Sequence, residues 1–328
     1  MSSALPAVAT TGIGSLPPQP IGLALQGAFA HDVPFLPELE RMMPAALEGL
    51  PGVDAAGTIA LDAWRRGRDG LGRELDAAMA SFELAAFEPS EHARSCFRPF
   101  LREVEARRLP FAKVQLAGPA SVRWLSPTSS GVPASDVVEL DQQLFQLILA
   151  RAIALVHAVR RTGARPILFL DEPGLGRLVP SDPRHAVVLQ ELRMLIAAAR
   201  GQGALVGLHC CANTAWGAVL GLGLDILSFD ARLSLDAVLD ERAAVRAFID
   251  AGGTFALGVV PTGAGEPYVL AELIESVEVS LRSTIPRFDV ARLLVTPACG
   301  LALHSAAEAD AIVAEVREAQ AGLRRPAG

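Results

Sequence analysis

The sequence predicts an α/β fold, a (β/α)8 TIM barrel with a helical excursion after the first strand, in a single domain spanning residues 1–328. Three observations carry this. Short apolar runs alternate with long helical patterns, and strand–helix alternation builds a parallel sheet. The runs are rich in Val, Ile, Leu, Phe or Thr and barely alternate with polar residues, as in strands buried on both faces. The chemically unusual residues follow the runs, at the ends where barrel enzymes build their sites. An open doubly wound sheet is the alternative.

In chain order the strand candidates are AVATTG (7–12), AKVQLAG (112–118), PILFLDEP (166–173), ALVGLHC (204–210), DILSFD (225–230), TFALGVV (254–260) and RLLVTP (292–297). The eighth strand that closure needs is the weakest, placed around GVDAAGTIAL (52–61). Residues 20–108 carry few strand signals and read as the helical excursion, with helices in GLGRELDAAMASFELAAF and PSEHARSCFRPFLREVEARR. The segment SDVVELDQQLFQLILARAIALVHAVRRTG opens with Ser135-x-x-x-Glu139 and stops at Gly163. DPRHAVVLQELRMLIAAARGQG sets Pro183 just inside its first turn and ends at Gly201, the usual placing of both residues. SAAEADAIVAEVREAQAGLRR reads as the last helix. No internal repeat or low-complexity linker interrupts the pattern.

Composition narrows the function classes. Hydrophobic residues make up 51% of the chain, ample for a large core. A net charge of -7 argues against nucleic acid as a partner, since phosphate binding wants a basic face. The N-terminal MSSALPAVATTGIGSL has no basic region of the kind a signal peptide opens with. The most apolar stretch, LFQLILARAIALVHAV, is broken by Arg151 and His157, so no membrane span is expected. Four cysteines, two of them adjacent, make a poor disulfide framework and suggest a reducing cytoplasmic setting.

The stretch GLHCCANTAW spends two of those cysteines beside one of only six histidines. Residues two apart on a strand share a face, so His209 and Cys211 both point into a barrel mouth while Cys210 points toward the helices. Cys299, in PACGL, arrives from another strand end. His with two Cys is a zinc set, and Asp230 at the end of DILSFD is the candidate fourth ligand. The competing readings are small buried apolar cysteines beside a core histidine, or a redox pair, for which vicinal spacing is poor.

IGSLP, DEP, HCC, DILSFD and PACGL, in this order, resemble the catalytic C-terminal domain of cobalamin-independent methionine synthase, in the superfamily that also holds uroporphyrinogen decarboxylase. The resemblance implies a barrel whose zinc, bound by His, two Cys and a Glu, holds the homocysteine thiolate that accepts a methyl group. It implies His209, Cys211 and Cys299 as ligands, with Asp230 in the place of the Glu. It implies Ile13, Gly14 and Ser15 as the turn that takes the amino-acid carboxylate, and Asp171 as the catalytic-site residue for the ammonium. Glu38 is the second acidic residue for the ammonium, with Glu40 as its rival, and Trp124 lies near a tryptophan that flanks the pterin. The family's large N-terminal half has no counterpart here. Nor does VVPTGAGEP hold the histidine proposed to protonate a departing folate nitrogen.

The function expected is zinc-dependent methyl transfer to a small-molecule thiol, homocysteine giving methionine. The donor is methyl-tetrahydrofolate or methylcobalamin; the missing histidine favours a methylated corrinoid, carried by a corrinoid protein partner. Two rivals come from other classes. One is a porphyrin-decarboxylase-like lyase, which wants an arginine-lined mouth where only Arg123 and Arg232 lie near the motifs. The other is a non-catalytic thiol- or metal-binding barrel.

Overall fold

The computed structural model describes residues 5–263, 267–285, 289 and 292–324. Residues 264–266 of VVPTGAGEP lie outside them. Seven parallel strands coincide with the seven clear runs: β1 (Ala9–Thr10), β2 (Phe111–Ala117), β3 (Arg165–Asp171), β4 (Leu205–Cys210), β5 (Ile226–Asp230), β6 (Thr254–Val260) and β7 (Leu294–Pro297). They form one curled sheet in the order β1-β7-β6-β5-β4-β3-β2.

The gap between β1 and β2 is filled by residues 33–38, in VPFLPE, and not by the expected stretch 52–61. On one side the Val33 N–H donates to the Thr10 carbonyl (3.0 Å), the Glu38 N–H to Gly14 (2.9 Å) and the Leu16 N–H to Glu38 (2.9 Å). On the other, the Lys113 N–H donates to the Pro34 carbonyl and the Leu36 N–H to Lys113, both at 2.8 Å. Both bridges, Ser15 with Glu38 and Phe35 with Lys113, are parallel. These six residues are the eighth stave. Pro34 and Pro37 have no N–H to give a ladder, which interrupts regular strand geometry and hides the stave from pattern reading. Residues 52–61 instead make an antiparallel bridge, Val53 with Ile59, and a parallel one, Ile59 with Thr128, and pair with none of the seven strands.

All eight staves feed one interior cluster: Ala9, Val33, Phe111, Ile167, Phe169, Ile226, Ala256 and Leu294, with Leu205 packed against them. That cluster fixes the phase of each strand. On β3 it holds Ile167 and Phe169, so Asp171 is the next inward position. On β4 the inward series that starts at Leu205 reaches His209 and then Cys211. Val206, Leu208 and Cys210 lie in the separate core between sheet and helices.

The helices are α1 (Ile21–Ala28), α2 (Met42–Ala46), α3 (Leu61–Ser81), α4 (Phe97–Ala106), α5 (Pro119–Leu125), α6 (Val138–Arg161), α7 (Pro183–Gly201), α8 (Trp216–Leu220), α9 (Ala231–Asp240), α10 (Arg242–Asp250), α11 (Leu270–Thr284) and α12 (Ala306–Leu323). The helical excursion is therefore two pieces, α1 and α2–α4, separated by the stave. Asp182 caps α7 by accepting the Arg184 N–H, and Ser305 with Glu308 closes a capping box on α12. Ser135 is not the cap of α6; residues 134–136 form a 3-10 turn and the helix starts after Val137. By length and composition α6 is apolar enough to cross a membrane, yet 78% of its apolar window is buried inside the fold. Its Arg151 is buried and bonded to the Glu48 and Phe87 carbonyls.

His31, just before the stave, is buried with its ring edge-on to Phe35 (5.4 Å) and Nδ1 without a partner. Burial, with Arg317 adding to it, lowers its pKa from 6.5 to about 4, against the opposing pull of Asp32. The unfolded chain therefore binds the extra proton first. Stability from a neutral His31 is complete above pH 6.5 and is lost as pH falls toward about 4. We expect His31→Phe to remove on the order of 2–3 kcal/mol of this pH dependence, at about 1.36 kcal/mol per pKa unit. Urea midpoints of both proteins between pH 7 and 4 measure it; parallel curves would refute it.

Candidate active site

The turn after β1 begins the site. Gly14 has φ +149°, and a Cβ there would overlap the side-chain amide of Gln115 beneath it. The Ser15 carbonyl accepts the Leu301 N–H at 2.8 Å, and a Cβ on Gly300 would strike Ser15 Oγ. Hence the Ile13–Ser15 turn lies directly against the Cys299–Gly300 turn after β7.

His209 is buried at the end of β4. Its Nδ1 lies 3.0 Å from Ser228 Oγ on β5, and among the described residues Nε2 has no hydrogen-bond partner. The second nitrogen of a ligating histidine is normally held this way, which orients the ring. His209, Cys211 and Cys299 bring their ligand atoms within 4.8 Å of one another. Cys210 is fully buried on the other face and its Sγ donates to the Ala212 carbonyl (3.2 Å). Asp230 is not one of these three. As N-cap of α9 its Oδ1 accepts from the Arg232 and Leu233 N–H groups at 2.9 and 3.2 Å.

Acidic residues follow on β3, next to β4, and on the stave. Asp171 is buried at the end of β3, with Oδ1 unpartnered. Burial raises its pKa, while Lys113 and His209 pull it back. Glu38, on the stave, is buried in an ion pair with Arg94 at 2.9 Å. Glu40 instead accepts the Ser95 N–H at 2.9 Å. Glu172 faces away from Asp171 and holds the first turn of α5, accepting from the Ala120 N–H (3.0 Å) and from the Ser121 N–H and hydroxyl (both 2.7 Å). Burial pushes its carboxyl up to about 7. Trp124, at the end of α5, packs against the His185 ring (4.5 Å).

Sequence reading missed Lys113, Arg94, Glu172 and Ser228. Lys113 is the only lysine in the chain and sits inside an apolar strand, which was the available signal. It is buried, donates to the Ile13 carbonyl (2.6 Å) and to Gln115 Oε1 (3.0 Å), and lies over the Phe169 ring. Arg123 is buried too, but its charge is taken by Asp141 (2.8 Å) and Glu191.

Residues 114–321, well over half the chain, match the family model described as the cobalamin-independent synthase catalytic domain. Among solved structures, a methyltransferase from Methanosarcina mazei aligns over 99% of this chain and 96% of its own, with a TM-score of 0.62 and 13% identity. A B12-independent methionine synthase from Shewanella sp. W3-18-1, in complex with selenomethionine, aligns over 69% of this chain with a TM-score of 0.50 and 13% identity. This chain spans 66% of that synthase. At such identity the likeness bears on the fold. No curated protein matches the chain.

The surroundings of the four thiols differ. A hydrogen bond from Cys299 holds the Cys211 thiol below its ordinary pKa and Cys299 above it. Burial pushes Cys96 up to about 11 and Cys210 up to about 12. Thiolate, not thiol, is the nucleophile. In folded, chelator-treated protein, iodoacetamide is therefore expected to label Cys211 first and to spare Cys96 and Cys210. Peptide mass spectrometry over time reads the order.

Proposed function

The chain belongs to the cobalamin-independent synthase catalytic-domain family, and on that premise we propose that it transfers a methyl group to homocysteine at a zinc site in the barrel mouth. The observation that carries this is the buried, unpartnered Nε2 of His209 facing two thiols of the same cluster. One nitrogen and two sulfurs suit zinc, and three protein ligands leave a position for a substrate, the arrangement of catalytic rather than structural zinc. With Asp230 occupied as a helix cap, the three-ligand reading is the better supported one. When bound, zinc holds the acceptor sulfur as thiolate at neutral pH, where a free thiol with a pKa of about 8.5 is mostly protonated.

The chain's own residues do the rest. Amide N–H groups of the Ile13–Ser15 turn receive the substrate carboxylate. Asp171, with Glu38 beside it, receives the ammonium, so the amino acid is fixed at both ends while its side chain reaches the cluster. Fixing sulfur and methyl in one orientation is the proximity contribution to the rate. A corrinoid donor, and with it a corrinoid protein partner, gains no support from a cobalamin-independent family. Methyl-tetrahydrofolate is the proposed donor, with Trp124 at the edge of its pocket. The lyase reading loses ground because Arg123, one of the two arginines it needed, is consumed by Asp141 and Glu191.

Purified enzyme is expected to carry about one zinc per chain, as a single mononuclear site does. His209→Ala, Cys211→Ser and Cys299→Ser should each lose it, and Cys210→Ser should retain it. Zinc-loaded enzyme should form methionine faster from methyl-tetrahydrofolate than from methylcobalamin. No methionine from either donor would sink the proposal.

Asp171→Asn should keep the metal and weaken homocysteine binding by more than about tenfold, since an ammonium that loses its buried carboxylate partner is costly. Calorimetric titration checks this. Unchanged affinity would place the amino group elsewhere.

A further inference from the structure

The sole lysine of the chain is buried, yet it touches the peptide that the proposed substrate uses. Lys113 Nζ donates to the Ile13 carbonyl at 2.6 Å and to Gln115 Oε1 at 3.0 Å, and lies 4.6 Å from the Phe169 ring centroid. Its contacts are thus internal to the barrel. The Ile13 carbonyl belongs to the same planar unit as the Gly14 N–H, and in a trans peptide the two point in opposite directions. Among the described residues no peptide bond is cis. Lys113 pulls from below, so the Gly14 N–H is directed away from it. Among the described residues no acceptor takes the Gly14 or Ser15 N–H. Gln115, whose Nε2 donates to Leu36 at 2.7 Å, packs under Gly14 and blocks any side chain there.

We propose that Lys113 is a positioning residue that polarises and orients the Ile13–Gly14 peptide, so that the turn discriminates for a substrate bearing an α-carboxylate. A hydrogen bond from a charged donor is shorter and about twice as strong as a neutral one. Coupled hydrogen bonds in a dry interior polarise one another, so a cation on the carbonyl strengthens the N–H at the other end of the same amide. Burial lowers the Lys113 pKa to about 8, and the charges of Asp171 and Glu38 oppose the fall. Carboxylate preference therefore depends on a side chain that never meets the carboxylate. This inference rests on the reading of the Ile13–Ser15 turn under Proposed function.

The test compares homocysteine with 3-aminopropanethiol, which keeps the thiol and the ammonium and lacks only the carboxylate. Dissociation constants are measured by calorimetry on zinc-loaded wild type, Lys113→Met and Lys113→Gln, with metal content and melting temperature recorded beside them. The Gln variant keeps an N–H donor in the barrel and serves where Met fails to fold. Wild type is expected to prefer homocysteine by more than about tenfold, the scale of hydrogen bonds to a charged group. Both variants are expected to bring the preference within about threefold, chiefly by weakening homocysteine, with 3-aminopropanethiol nearly unchanged. A merely structural role would weaken both thiols alike, and that result overturns the proposal. Variants that keep the wild-type preference also overturn it while leaving the turn's role intact. A wild type with no preference overturns the carboxylate reading of the turn, and this inference with it.

Discussion

The barrel mouth hangs from six residues that are not a regular strand. Residues 33–38 are hydrogen-bonded to the β1 side through Thr10, Gly14 and Leu16 and to β2 through Lys113. Closing a sheet removes its edges and fixes the stagger of every strand around it. Here closure does something local as well. It places Glu38 beside Ser15, and it sets Leu36 where Gln115 can bond to it. The acidic wall, the turn after β1 and the Lys113–Gln115 pair are therefore positioned by the same ladder. Had residues 33–38 looped outward, β1 and β2 would be open edges and the turn would have no floor.

The mouth holds an unusual density of ionisable groups for so dry a place. Glu38, Asp171, Glu172, Lys113, Arg94 and His209 are all buried. Buried charge is tolerated only when paired or hydrogen-bonded. Glu38 has Arg94, Glu172 has three donors from Ala120 and Ser121, and Lys113 has two acceptors. Among the described residues Asp171 Oδ1, His209 Nε2 and Arg94 Nη1 make no hydrogen bond, and of these three residues only Arg94 has an ion pair, with Glu38. An unmade buried hydrogen bond costs about 1–3 kcal/mol, so the Asp171 and His209 atoms mark where a ligand would offset a debt the fold leaves standing. They come from neighbouring strands: Asp171 and His209 are register partners across β3 and β4.

Much of this was legible from the residues. The seven apolar runs became seven strands, and the two-residue period of β4 put Cys210 outside and His209 inside, as the alternation requires. The eighth stave was hidden because Pro34 and Pro37 erase the strand signal. The start of α6 was misread because Ser135, a good capping residue, spends itself in a 3-10 turn. Arg94 and Lys113 were passed over because a charged residue gives no sign of its partner until the fold brings Glu38 or Ile13 to it. Asp230 shows the limit of a motif. Its place at the end of DILSFD suits a ligand, but the same place starts a helix, and there the Asp230 carboxylate caps the backbone.

The site draws on both ends of the chain: β1 pairs with β7, and the Ser15 carbonyl receives the Leu301 N–H. Pairings between distant residues form slowly, and a chain is synthesised from its N-terminus at roughly 5–20 residues per second. The first strand thus leaves the ribosome roughly a quarter of a minute to a minute before its last neighbour exists. In that interval β2 to β6 can assemble with α6 packed across them, and residues 33–38 can hold β1 and its turn against β2, while the β7 side of β1 waits unpaired. His209 and Cys211 come into place before Cys299 is made. The complete His–Cys–Cys group then arises only with the docking of β7, so a nascent chain holds two of its three members before the barrel is shut.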